Sequence, residues 1–212
     1  MRIFNYNSKP MTILNKLSDL LLVNVLFMVF SFPVVTIGAS QAGLCTAMKV
    51  FRDKEDDSSC FKAFFRGFSA GFGRVTLVWC VYLALVLFFA GNMMRLLRND
   101  SAGSPTWIFA AVLLLLGTLE PLSVQFHARY VCTSWGLLKN ALMFFMGNPI
   151  RAILTAALTW LPVASVFFLG EFFAHAIPVF VLIYFSVAYL LCNLLMDKPF
   201  KTLAKLKQET SE

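Results

Sequence analysis

From Leu20 to Met48 the chain carries no charged side chain, and proline interrupts the run once, at Pro33. A helix needs about 20 apolar residues to cross a bilayer core at 1.5 Å per residue. This run therefore holds one crossing and the start of something else. Proline disfavours helical geometry in the residue before it, so the first helix ends at Phe32. Thr36 is then placed to cap a second helix by accepting an orphan N–H. Ala39, Gly43 and Ala47 recur at every fourth residue, a small-residue face suited to close helix packing. Pro33-Val34-Val35-Thr36-Ile37-Gly38 reads as a tight hairpin defined by Pro33, Thr36 and Gly38. A ligand role for Thr36 or Gly38 at the helix N-terminus is the alternative.

Five crossings are legible at 13–32, 75–94, 106–128, 152–171 and 177–196. Thr36–Phe51 is the sixth candidate, with a re-entrant segment as its alternative because it reaches only about 24 Å. Charge arbitrates. If Thr36–Phe51 crosses, every basic residue except Arg95 and Arg98 falls on one side. If it does not, Arg2, Lys9 and Lys16 join those two. The positive-inside rule favours six crossings with both termini cytoplasmic.

Composition points the same way. Hydrophobic residues make up 59% and charged residues 14%, where soluble domains carry about a quarter charged. The expected fold is all-α: a polytopic membrane helical bundle in one domain, 1–212. The bundle occupies 12–198 with amphipathic cytoplasmic linkers, and 199–212 form a short basic tail. The net charge of +7 belongs to loops between apolar runs, so lipid bilayer and not nucleic acid is the expected partner. Five cysteines without a Cys-x-x-Cys pair indicate free thiols, with no disulfide framework or metal site. No phosphate loop, His-Glu-x-x-His or Gly-x-Gly-x-x-Gly motif is present, and neither a Gly-x-Ser-x-Gly nucleophile elbow nor other common hydrolase chemistry is expected. No cofactor, catalytic residue or enzymatic activity is expected.

A shift of 77 residues places Arg52, Lys62 and Arg74 on Arg129, Lys139 and Arg151, and Phe61, Phe65 and Phe68 on Leu138, Leu142 and Phe145. Each module reads as helix, basic amphipathic linker, helix. In the first linker Phe61, Phe65 and Phe68 share one helical face, and Lys62 and Arg66 another. These five residues form a candidate interfacial or partner surface; a simple elbow into the next crossing is the alternative.

Glu120 lies inside the fourth crossing, where a charge is costly and a functional role is the default hypothesis. Gly117, Glu120, Ser123 and His127 lie close to one helical stripe. Pro121 removes the backbone bond to Gly117. The stripe is a candidate proton- or cation-linked site; a carboxyl sealing a proline kink is the alternative. Asn24, deeper in the first crossing, is a further candidate, with inter-helix hydrogen bonding as its plainer role. Asn193 and Asp197 make a polar pair at the end of the last helix. Glu171 and His175 sit at the opposite surface.

Three stretches together resemble the YesL-like family of bacterial membrane proteins, whose function is undefined. They are Asn24 with "FPVVTIGASQAGL", "CFKAFFRGFSAGFGRVTLVW", and "EPLSVQFHARY" with "LLKNALMF". Glu120 departs from that pattern, where an apolar or aromatic residue precedes the proline. The resemblance implies a non-enzymatic accessory or regulatory role linked to carbohydrate uptake, with sugar ABC-transporter subunits as partners. A small-solute or ion transporter using the Glu120 stripe is the alternative.

Overall fold

The computed structural model describes residues 9–53, 59–98, 104–162 and 183–209. Among these residues every regular element is helical: α1 Lys9–Ser31, a 3-10 turn Val34–Thr36, α2 Ile37–Asp53, α3 Cys60–Gly71, α4 Arg74–Arg98, α5 Ser104–His127, α6 Ser134–Gly147, α7 Pro149–Pro162 and α8 Phe185–Glu209. Four stretches are long and apolar enough to cross a membrane: Leu14–Ser31, Val34–Asp53, Arg74–Arg98 and Pro105–His127. α6 and α7 meet at a bend of 118° and make a fifth if taken as one broken span. The second stretch is not short, because the 3-10 turn extends α2 to 20 residues. The crossings expected at 152–171 and 177–196 run partly through 163–182, outside the described residues, as do Glu171 and His175.

The hairpin after α1 forms as the proline dictates, but Thr36 works in the opposite sense to a helix cap. Pro33 is extended (φ −75°, ψ 116°). The Thr36 hydroxyl donates to the Phe30 carbonyl at 2.7 Å, with the Pro33 carbonyl at 2.8 Å. In so tight a turn the orphan carbonyls ending α1 are the nearer partners, and the hydroxyl closes α1 instead of opening α2. The Trp79 indole N–H of α4 donates to the Val34 carbonyl at 2.8 Å, pinning the turn from the side. A Cβ on Gly38 would stand 2.6 Å from Trp79 Cβ and 3.0 Å from the Val75 carbonyl. Any side chain there would drive α4 off α2.

α3 packs on α2 along its length. A Cβ on Gly67 would come within 2.8 Å of the Ala42 carbonyl, and one on Gly43 within 2.9 Å of the Phe64 carbonyl. One on Gly71 would come within 2.8 Å of Ala42 Cβ. Bare backbone on both sides permits this approach, the same small-residue device that lets membrane helices come close. Phe64 is fully buried, and Phe30 of α1 meets Phe64, Phe65 and Phe68 at ring-centre distances of 6.0, 5.4 and 5.0 Å. The aromatic face expected at a membrane interface therefore packs largely against protein. Phe61, Lys62 and Arg66 remain exposed.

α6 uses bulk where α3 uses glycine. Its Phe144 packs with Phe126 of α5 and Phe200 of α8, with ring centres 5.6 and 5.4 Å away. Leu44, Met48, Leu122, Leu137, Tyr189 and Met196 fill the common interior.

Candidate functional site

Pro121 lies inside α5 and denies the Gly117 carbonyl its helical N–H. Trp160 of α7 replaces it, donating its indole N–H to that oxygen at 2.9 Å. One residue before the proline, Glu120 is only 3% exposed. Neither of its carboxyl oxygens has a hydrogen-bond partner among the described residues. The Gln41 side chain of α2 stands beside the carboxyl, short of hydrogen-bond geometry. Tyr82 of α4 and Tyr189 of α8 lie within electrostatic reach. Both tyrosine hydroxyls and Gln41 Oε1 are likewise buried without a partner.

Four helices thus bring a carboxyl, two phenols and an amide to one interior place. A cavity of about 40 Å³, lined by Trp79, Tyr82, Glu120 and Trp160 among others, adjoins it. That is room for a water molecule. Such a group of oxygens can hold a proton or a small cation; it is too confined for a sugar.

Of the other stripe residues Gly117 lines the same cavity, whereas Ser123 and His127 do not join Glu120. The Ser123 hydroxyl donates to the Glu120 backbone carbonyl at 2.6 Å, satisfied within its own helix. His127 ends α5 and lines a different cavity with Lys49 and Arg66. Asn24 Oδ1 accepts from the Ser186 backbone N–H at 3.0 Å, tying α1 to α8.

A second polar centre lies where α2, α5 and α8 meet. Arg52 donates to the Asn193 carbonyl at 3.1 Å and pairs with Asp53 and, at 3.1 Å, with Asp197. Arg129 donates to Asn193 Oδ1 at 2.7 Å and to the Gln125 side chain, and lies 4.5 Å over the Phe200 ring. Asn193 Nδ2 donates to the Cys45 carbonyl at 3.3 Å. The two arginines aligned by the 77-residue shift therefore converge on one asparagine. Pairing Asn193 only with Asp197 overlooked this, because the arginines come from distant segments. Their shared place in the repeat was the available signal.

Gly67-Phe68-Ser69-Ala70-Gly71 also spells Gly-x-Ser-x-Gly, a motif the sequence reading missed. A nucleophile elbow needs a sharp turn from strand to helix. Here all five residues lie within α3, and both glycines serve its packing on α2.

Residues 20–93, from α1 into α4, match a family model described as a protein of unknown function, DUF624. No curated protein and no solved structure matches the chain. The match covers the Pro33–Gly38 hairpin and all of α3, and supports a relationship to a family of unknown function through that part of the chain.

Proposed function

We propose that this is a non-enzymatic, multi-pass protein of the bacterial plasma membrane that serves as an accessory or regulatory component of ABC-type carbohydrate uptake. It would cross six times with both termini cytoplasmic. The observation that carries the docking role is α3. One side is locked to α2 through Gly43, Gly67 and Gly71, while Phe61, Lys62 and Arg66 face outward. A preorganised surface loses little entropy on binding a partner; a simple elbow needs no such fixing. The resemblance to YesL-like sequences supplies transporter subunits as that partner. Affinity purification after cross-linking should recover permease subunits, and Phe61→Glu with Lys62→Glu should abolish recovery. Recovery of no subunit, with normal sugar uptake in a deletion strain, would sink the reading. Cysteine-accessibility mapping tests the topology: labelling of the N-terminus from outside rejects it.

The unpartnered Glu120 carboxyl favours a second reading, an ion- or proton-linked transporter for a small solute. Its neighbours Gln41, Tyr82 and Tyr189 would complete the path. Flux into proteoliposomes of the purified protein should fall at least tenfold in Glu120→Gln. Equal flux in both proteins, with no change in pH response, rejects this reading.

A further inference from the structure

We infer that a cleft between α2, α3 and the end of α5 is a binding site for a phosphate-ester anion. The cavity measures about 320 Å³, within the range of small-ligand sites. Lys49, Arg66 and His127 line it together with Thr46, Asp53 and Gly67. No ion pair engages Lys49 or Arg66 among the described residues, and His127 Nδ1 is buried without a partner. Asp53 is the acidic member, and its carboxylate is taken up by Arg52.

A neighbouring cavity of about 380 Å³ shares Lys49 and Asp53 and adds Arg52, Arg129, Asp197 and Lys201. There Arg52 and Lys201 already pair with carboxylates, and Arg129 with amide oxygens. Lys49 borders both cavities and Arg66 only the first, so only the first brings the two unpaired cations together. Gly67 and Ala70 keep its wall low. Its place at the charged end of the span Val34–Asp53 is where basic clefts between membrane helices meet phosphate headgroups.

Two arms of one experiment separate the sources of the phosphate. In the first, the protein in phosphatidylcholine nanodiscs doped with phosphatidylglycerol is released gently, and retained lipid is counted by native mass spectrometry. In the second, glycerol 3-phosphate is titrated against protein in pure phosphatidylcholine nanodiscs. At least one arm should saturate. Binding in that arm should weaken about fivefold in Lys49→Gln or Arg66→Gln and about thirtyfold in the double variant. Lys139→Gln with Lys198→Gln removes the same charge from exposed positions elsewhere and should leave binding unchanged. Thermal unfolding verifies each variant, and the single variants carry the test if the double one is unstable. Saturation in neither arm, or equal weakening in the control pair, overturns the inference.

Discussion

Arg52 and Arg129 stand at equivalent places in the two modules and reach the same asparagine, yet different chemistry satisfies them. Arg52 sits nearer the rim between two carboxylates, Asp53 and Asp197. Arg129 is surrounded by the Gln125 and Asn193 side chains and the Phe200 ring. Burial lowers its pKa from the usual arginine value, although a guanidinium keeps its charge. Neutral acceptors satisfy its donors without a second ion to desolvate. Packing diverges too. Phe64 and Gly67 of the first module correspond to Ala141 and Phe144 of the second, so the bulky residue has moved about one turn. The repeat fixes where basic residues and helix ends fall. It leaves open how each helix pair fills its contact.

Arg129→Met tests the deeper arrangement most severely. It leaves Asn193 Oδ1 and Gln125 short of a donor and should destabilise the protein by about 3 kcal/mol in denaturant titrations. Asn193→Leu removes the Oδ1 acceptor of Arg129 and the donor to the Cys45 carbonyl, and should cost about 2 kcal/mol. The Asn193 backbone carbonyl, which accepts from both arginines, survives that change, so Arg52→Gln should cost about as much in the Asn193→Leu background as alone. Strong non-additivity would break the account in which the backbone carbonyl is the shared acceptor. Gly67→Ala should cost about 1–3 kcal/mol by crowding Thr46 and the Ala42 carbonyl. Arg52→Gln alone should cost about 1 kcal/mol or less, since its carboxylate partners can turn to water. A loss equal to that of Arg129→Met would erase the distinction between rim and interior.

The smallest effect is set by pH. A hydrogen bond from Lys201, with Arg52 and Arg129 nearby, holds the Asp197 carboxyl below its ordinary pKa of 3.8. A group depressed on folding contributes stability above its unfolded pKa and loses it as pH falls through the folded value. Asp197→Asn should therefore flatten the acid limb of the stability curve below about pH 4, measured as melting temperature against pH.

Much of the helical layout was legible because hydrophobic run length and proline act locally. The Pro33 break, α4, α5 and the 77-residue repeat follow from such rules. The surroundings of Glu120 were not legible: Gln41, Tyr82 and Tyr189 lie on three other helices. Ser123 shares a helical face with Glu120, but helical spacing does not reveal that its hydroxyl bonds to its own backbone. Phe64, Phe65 and Phe68 were ambiguous for a different reason, since an apolar face looks alike whether lipid or Phe30 covers it. The Gly67–Gly71 spacing held the missing hint, because small residues four apart mark a place where another helix can come close.

The bond from Trp160 to the Gly117 carbonyl also has a consequence in time. Synthesis runs from the N-terminus, so α5 is made before its replacement donor exists. Until α7 follows, the proline leaves one carbonyl of α5 without its helical donor, and water or the insertion machinery must serve it. α7 thus completes the backbone of a helix synthesised before it, and the two enter their final state as a pair.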